Sequence, residues 1–198
     1  MNHYCTLFDK NYLVFGLALH RSLIMQSSQF KLFMLAMDDE CERMLHSLNL
    51  ENVIVISLAD VVTDKYSFIY DRMTLGQVCW TSQPLLCKHI LNHYKVDSIT
   101  YLEADSYFFD DPKKLIDELG GYSASLVPHR YSGELEQSST SGIYCVQFNF
   151  FKNNNSAREI LKDWELNCLK YDKNRRRYLP GQICLDVWPK KYSDIKVI

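Results

Sequence analysis

Glycine and proline are scarce in this sequence of 198 residues, which has seven of the first and five of the second. This scarcity excludes collagen-like and low-complexity chains, which need far more of both residues. Charge of one sign is also lacking, because 22 Lys and Arg residues face 24 Asp and Glu residues for a net charge of -2. No basic excess therefore points to a nucleic acid or an anionic membrane as the partner. With 47% hydrophobic residues, we expect a single domain over 1–198.

The chain also lacks a long uninterrupted apolar run. The longest apolar stretch, 12–25, is broken by His20, Arg21 and Ser22 and falls short of the roughly 20 residues that a membrane-spanning helix needs. The N-terminus has neither a basic segment nor a small-residue cleavage site, so no secretory signal is predicted. We therefore expect a cytoplasmic protein without a transmembrane segment.

Cysteine pairs typical of metal or redox sites are absent. The seven cysteines, at 5, 41, 79, 87, 145, 168 and 184, form no CxxC motif and no spacing typical of a zinc site. An odd number of cysteines without a secretory signal favours reduced thiols, as is usual in the cytoplasm. We therefore expect them to act as small apolar core residues.

A short basic run of three arginines at 175–177 lies close to Lys170 and Lys173. Such a run can meet an anionic acceptor or a lipid head group. Three arginines fall short of the clusters that bind membranes firmly, so a solvated turn is the favoured interpretation.

Apolar strands and helical patterns alternate over the first half of the chain. Continuous apolar runs predict strands at 4–8, 30–37, 53–56 and 99–102. Apolar residues at helical spacing predict helices at 13–24 and around 41–48, and a third helix that ends at 94 and has Pro84 in its first turn. Fully apolar strands are typical of parallel sheets with helices on both faces, so this pattern predicts an α/β fold.

The alternation loosens in the second half of the chain. There the sequence predicts a helix at 112–119, a strand at 123–127, a polar loop at 131–141, a long strand at 142–151, a helix at 156–171 and a strand at 195–198. In the long strand, Gln147 and Asn149 alternate with apolar residues, so both are candidates to face a cleft. Neither an internal repeat nor a low-complexity linker is found, which supports one domain.

The strongest chemical signal is a pair of carboxylates, Glu103 and Asp105, directly after the predicted strand 99–102. Ligands of open α/β sheets bind at the carboxyl ends of the strands. Two carboxylates there offer hard oxygen ligands to a divalent cation, which can neutralise a diphosphate. A simple capping role for the next turn stays open as an alternative. A phosphatase of the haloacid-dehalogenase type is disfavoured, because its nucleophilic Asp would stand where this sequence has Glu103.

Several motifs in order along the chain resemble those of nucleotide-sugar-dependent glycosyltransferases of the GT-A fold. Within that family the sequence is most similar to bacterial glycosyltransferases that are distantly related to glycogenin and to the lipopolysaccharide galactosyltransferases. The motifs lie at 4–13, 17–23, 78–84, 101–109, 128–131, 141–148 and 181–189, and so cover essentially the whole chain. The resemblance implies a GT-A-like nucleotide-diphospho-sugar transferase fold, with a mixed, mostly parallel sheet and helices on both faces.

The resemblance also implies roles for particular residues. Glu103 and Asp105 occupy the position of the family's Asp-x-Asp motif, which implies a bound Mn²⁺ or Mg²⁺. Glu103 is a departure from the usual Asp. Donor-binding roles are implied for Thr6, Phe8, Asp9, Asn11, Tyr12, Trp80, Thr81 and Glu103, and catalytic roles for His129, Arg130 and Gln182. Before Gln182 the family places an Asp, where this sequence has Gly181.

The implied function is metal-dependent transfer of a hexose from a nucleoside diphosphate sugar, with a UDP-sugar as the expected donor. The acceptor is a glycan, a lipid or a protein. No general base stands out beyond the acidic pair, which favours retention of the anomeric configuration. Similar sequences continue past the equivalent of residue 198 with a segment that carries a His metal ligand, so a missing C-terminal segment is expected. A non-catalytic nucleotide-sugar-binding protein, or an inactive truncated transferase, is the competing hypothesis.

Overall fold

The described residues form a central mixed sheet of eight strands. The computed structural model describes residues 1–27, 29–62, 70–172, 177–178 and 181–198. The sheet consists of β1 (Asn2–Phe8), β2 (Phe30–Ala36), β3 (Val53–Ser57), β4 (Ser98–Leu102), β5 (Ala124–Pro128), β6 (Tyr144–Cys145), β7 (Phe148–Lys152) and β10 (Ile195–Val197). The strands β8 (Tyr171–Asp172) and β9 (Arg177–Tyr178) pair with each other in a separate two-stranded sheet.

The strand order places β1 and β4 side by side in the middle of the sheet. Across the sheet the order is β10-β5-β7-β4-β1-β2-β3, with β6 paired to β5. The pairs among β1 to β4 are parallel, as is the pair of β10 with β5, whereas β7 runs antiparallel to β4 and β5. The carboxyl ends of β1 and β4 therefore meet at one edge of the sheet.

Helices cover both faces of the sheet. They are α1 (Leu13–Gln26), α2 (Asp39–Leu48), α3 (Leu58–Val61), α4 (Leu75–His93), α5 (Lys113–Glu118), α6 (Ser138–Ser141), α7 (Asn155–Cys168) and α8 (Trp188–Lys191). The buried residues that α1 and α2 contribute to the hydrophobic core belong to one cluster, and those that α4 and α7 contribute belong to the other. The predicted α/β fold is thus confirmed. Among the described residues, no helix is both long and apolar enough to span a membrane.

The prediction that Pro84 lies in the first turn of α4 is wrong. The helix begins at Leu75, because the side chains of Thr74 and Gln77 form a reciprocal capping box there. Pro84 therefore lies inside the helix, where its missing N–H leaves the carbonyl of Trp80 without its usual partner. The thiol of Cys168 in α7 donates to that carbonyl at 3.8 Å. The Cys168 thiol thus partly replaces the backbone hydrogen bond that the Trp80 carbonyl loses to Pro84.

Three predictions for the second half also need correction. The strand predicted at 142–151 is divided into β6 and β7, and the carbonyl of Gln147 between them accepts the backbone N–H of Glu103 at 3.3 Å. The helix predicted to reach 171 ends at Cys168, because residue 171 belongs to β8. The loop predicted at 131–141 contains α6 and a short 3₁₀ helix, Gly133–Leu135. The strand predicted at the end of the chain is confirmed as β10.

Gly16 in α1 leaves room for the ring of Phe8, which is buried beneath the helix. A Cβ atom at position 16 would lie 2.4 Å from two ring carbons of Phe8. We expect Gly16→Ala to destabilise the fold by about 1–3 kcal/mol, the usual cost of overpacking, although alanine normally favours a helix. Urea denaturation measures the difference.

Gly76→Ala in α4 is the matched control for this prediction. Its Cβ would contact only the Trp80 ring, at 3.9 Å, so the variant should be as stable as the original protein or more so. Equal unfolding midpoints for Gly16→Ala and the original protein would contradict the expected clash.

Candidate functional site

A cavity of about 610 Å³ opens at the carboxyl ends of β1 and β4, and we call it the strand-end cavity. Its floor and sides come from the ends of these two strands and from the first half of α4, and three later segments of the chain close it. The described residues that line it are Leu7, Phe8, Asp9, Tyr12, Leu75, Gly76, Cys79, Trp80, Gln83, Glu103, Ala104, Asp105, Thr140, Ser141, Val146, Gly181 and Gln182. This is where ligands of open α/β sheets are expected.

The structure brings most of the residues singled out by sequence to this one cavity. The predicted site residues among its lining are Phe8, Asp9, Tyr12, Trp80, Glu103, Asp105 and Gln182. They come from widely separated parts of the chain. Their shared location agrees with a common ligand, while their individual roles stay predictions.

Five predicted site residues do not line the strand-end cavity. Thr6 is fully buried within β1. The Thr81 hydroxyl donates to the carbonyl of Gln77 at 2.9 Å, since one residue beyond Trp80 the helix has turned away from the cavity. Asn11 lines a shallower depression next to it.

The last two of the five, His129 and Arg130, lie beyond the end of β5. The His129 ring stacks on Tyr131 at 4.5 Å between centroids. Arg130 has a left-handed backbone, with φ 51°, and its guanidinium donates to the carbonyl of Ile198 at 3.0 Å. Asn149, expected to face a cleft, is buried, and its amide donates to the carbonyl of Ser125. The arginines at 175 and 176 lie outside the described residues.

Asp9 caps the turn that follows β1. Its carboxylate accepts the backbone N–H groups of Asn11 at 3.0 Å and Tyr12 at 3.1 Å, and also the side-chain amide of Asn11 at 3.0 Å. These bonds hold the 3₁₀ helix Lys10–Tyr12 at the strand end. Asp9 therefore fixes the position of Tyr12 on the rim, in addition to lining the cavity itself.

The acidic pair follows β4, as predicted. The Glu103 carboxylate accepts a hydrogen bond from the Gln83 amide at 3.1 Å, whereas Asp105 is exposed. Burial, helped by the negative charge of Asp105, raises the pKa of Glu103 to about 7. Among the described lining residues there is no Lys, Arg or His, so no cationic side chain of the lining balances its three carboxylates. Glu103 and Asp105 offer hard oxygen ligands of the kind a divalent cation takes. No group of three or more Asp, Glu, His or Cys side chains among the described residues is placed to hold one, so water or a ligand would complete the coordination.

The pKa of Glu103 predicts a pH dependence for the metal-free protein. Between its ordinary pKa of 4.5 and about 7, the folded protein keeps a proton that the unfolded chain releases. Stability should therefore fall as the pH rises through this window, by roughly 3 kcal/mol in total. Glu103→Gln cannot lose a proton, so its stability should change less with pH and exceed that of the original protein at pH 8. Urea denaturation at pH 5 and pH 8 in EDTA tests this prediction. An equal change in the free energy of unfolding between the two pH values for both proteins would contradict it.

The segment 181–182 is held against the cavity by aromatic and thiol groups. The indole N–H of Trp164 donates to the carbonyl of Gly181 at 2.9 Å, and the Cys184 thiol donates to the same oxygen at 2.8 Å. A Cβ atom at 181 would lie 3.2 Å from the Cys168 sulfur and 3.3 Å from the Trp80 carbonyl. Close packing thus accounts for glycine at the position where the resembling family has Asp.

Of four lining residues on one face of α4, sequence reasoning singled out Trp80 and missed Gly76, Cys79 and Gln83. Gly76, Cys79, Trp80 and Gln83 follow the i, i+3, i+4, i+7 spacing of one helix face, and all line the strand-end cavity. The spacing was present in the sequence. It was not used because Pro84 was predicted to lie in the first turn of the helix.

Comparison with known proteins gives distant relatives. No family model matches the chain. It is 24% identical over 179 residues to the uncharacterized protein YfnF of Bacillus subtilis (strain 168), covering 86% of this chain and 59% of the relative. It is 21% identical over 203 residues to the uncharacterized protein YfnD of the same organism, and the match covers 99% of this chain and 65% of that relative. The chain thus spans about three fifths of the length of these curated relatives.

Solved structures share the fold. The galactosyltransferase LgtC in complex with donor and acceptor sugar analogs matches with a TM-score of 0.66 at 13% identity, over 98% of this chain and 72% of that chain. The bifunctional glycosyltransferase WbbM matches with a TM-score of 0.63 at 17% identity, over 100% of this chain and 38% of that chain. The glycosyltransferase GlyE of Streptococcus pneumoniae TIGR4 matches with a TM-score of 0.61 at 14% identity, over 100% of this chain and 45% of that chain. The predicted resemblance to GT-A glycosyltransferases is confirmed at the level of the fold.

Proposed function

We propose that the strand-end cavity binds a nucleoside diphosphate sugar and that the protein transfers the sugar to an acceptor. One observation carries this proposal: the acidic pair, the rim aromatics Tyr12 and Trp80 and the amide of Gln182 share a single cavity at the carboxyl ends of β1 and β4. The fold shared with LgtC, WbbM and GlyE supports it. The expected donor is a UDP-sugar, as the sequence resemblance implies.

Aromatic and apolar residues provide the surface for the base and the sugar. Tyr12 and Trp80 are 52% and 38% exposed and both line the cavity, so their ring faces are accessible to a planar base or to the C–H groups of a sugar. Phe8 lies buried below them. We assign Tyr12 to the base, because it directly follows β1, where the sequence resemblance implies donor-binding residues, and Trp80 to the neighbouring part of the donor.

The charge of the cavity makes the proposed donor dependent on a cation. A nucleoside diphosphate sugar is an anion, and the described lining residues include three carboxylates and no basic side chain. Glu103 and Asp105 would hold Mn²⁺ or Mg²⁺, which supplies Lewis-acid stabilisation of the departing diphosphate when bound. The two carboxylates themselves repel a diphosphate in the absence of a cation.

Polar groups on the far side of the cavity are placed to orient the sugar. Thr140, Ser141 and Gln182 line this side, and their hydroxyl and amide groups match the hydroxyls of a hexose. Among the lining residues that the structure describes, Asp9 is the only carboxylate outside the acidic pair, and it is bound to its own turn. We therefore assign no general base among the described lining residues, which favours retention of configuration. His129 and Arg130 would act only on an acceptor that extends beyond the cavity.

The competing function is nucleotide-sugar binding without transfer. Gly181 favours it, because this position offers no side chain to the sugar and its surroundings leave little room for one. Both functions predict donor binding, and only the transferase predicts turnover.

The test is a thermal-shift panel of nucleoside diphosphates and their sugars, with and without Mn²⁺. A true ligand at a hundredfold excess over its Kd should stabilise the protein by about 2.7 kcal/mol, and only when Mn²⁺ is present. The best donor is then incubated with Mn²⁺ alone and with acceptors, and free nucleotide is measured. Binding without release of nucleotide would favour the non-catalytic protein, and no binding at all would overturn both.

A further inference from the structure

Gln83 on α4 is a buried amide that touches the acidic pair. Its side-chain nitrogen donates to the Glu103 carboxylate at 3.1 Å and to the Tyr101 hydroxyl at 3.2 Å, while only 3% of the residue is exposed. Its amide oxygen is buried and has no hydrogen-bond partner among the residues that the structure describes. Nothing in the proposed function so far uses this residue.

The orientation of this amide follows from its neighbours. When Glu103 is ionised, as it must be to bind a cation, its carboxylate can only accept hydrogen bonds, so the nitrogen of Gln83 then faces Glu103. Both N–H groups are then used, one by Glu103 and one by Tyr101, and the oxygen is left on the side without a donor. A buried acceptor without a partner lowers the stability of the fold. The Gln83 amide therefore holds the Glu103 carboxylate in place at the cost of one buried acceptor without a partner.

We propose, on the basis of the cation site proposed above, that Gln83 is a positioning residue that holds Glu103 in the orientation in which it binds the cation. Tyr101, fully buried in β4, anchors the amide from the sheet side. Residues that orient a metal ligand through a hydrogen bond affect metal affinity strongly although they do not touch the metal. Gln83 thus acts through Glu103, not on the substrate.

The test compares Mn²⁺ affinity with stability in Gln83→Met. Methionine keeps the length and volume of glutamine, removes both donors and also removes the unpartnered oxygen. We expect Mn²⁺ binding, measured by electron paramagnetic resonance without nucleotide, to weaken about 10- to 100-fold. The urea midpoint should fall only modestly, because the buried Tyr101 hydroxyl and the Glu103 carboxylate lose their donor while the unpartnered oxygen of Gln83 is removed as well. Gln83→Leu serves the same purpose if Gln83→Met does not fold.

Ser82→Ala is the matched control. Ser82 is the preceding residue of α4, fully buried and hydrogen-bonded to Tyr70, but it does not line the cavity. It should change the urea midpoint and leave Mn²⁺ affinity unaltered.

The outcomes separate this inference from the function on which it rests. If the original protein binds Mn²⁺ and Gln83→Met binds it equally well, the positioning role is overturned and the cation site stands. An equal weakening in Ser82→Ala would also overturn it, because any disturbance of α4 would then suffice. If the original protein binds no Mn²⁺, the cation site and the positioning role both fail.

Discussion

Replacing Asp105 by asparagine is expected to weaken Mn²⁺-dependent binding of nucleoside diphosphates by about a hundredfold or more. The change keeps the size of the side chain but removes one of two carboxylates proposed to hold the cation, and this loss should exceed the 10- to 100-fold effect of a residue that only orients a ligand. Since Asp105 is exposed, the fold should survive. Calorimetric titration with and without EDTA measures the effect.

A second readout of Asp105→Asn does not depend on a ligand. The charge of Asp105 contributes to the raised pKa of Glu103, so that pKa should fall in the variant. Asp117→Asn is the matched control, because Asp117 is an exposed carboxylate on α5, paired with Lys113 and outside the cavity lining. Unchanged nucleotide affinity in Asp105→Asn, with or without EDTA, would exclude the proposed cation site.

The largest expected loss of stability comes from Trp164→Ala. Trp164 is fully buried on α7 and packs edge-on against Trp188 at 5.7 Å between ring centroids. Truncating a buried tryptophan leaves a large cavity, and we expect a loss of about 3–5 kcal/mol in the free energy of unfolding. Urea denaturation measures it, and a loss below about 1 kcal/mol would contradict the assigned core position.

Trp164→Phe separates packing from the hydrogen bond to the segment 181–182. Phenylalanine keeps an aromatic ring but cannot donate to the Gly181 carbonyl, so donor affinity should fall along with about 1 kcal/mol of stability. Trp188→Phe is the matched control, because the buried indole nitrogen of Trp188 has no hydrogen-bond partner in the described part of the chain. It should change packing alone and leave donor binding intact. A similar loss of binding in both variants would show that the hydrogen bond is not what holds the segment.

The sequence by itself determined the fold class and the location of the acidic pair. Fully apolar strands alternating with helices indicate a covered parallel sheet, and Glu103 and Asp105 follow such a strand directly. Both features depend on neighbouring residues, which hydrophobic periodicity reports. The same local signals placed Asp9 and Tyr12 at the end of β1. They failed at Pro84, because the capping box ten residues earlier decides where α4 begins.

Only the tertiary structure decided which distant segments close the cavity. The pairing of β7 with β4 and the hydrogen bond from Trp164 to Gly181 join residues far apart in the chain, and no local pattern encodes such contacts. The bond between Gln83 and Glu103 is of the same kind. The raised pKa of Glu103 depends on burial, which exists only once the strands and helices have packed. Sequence therefore located the acidic pair, and packing of distant elements determined its chemical environment.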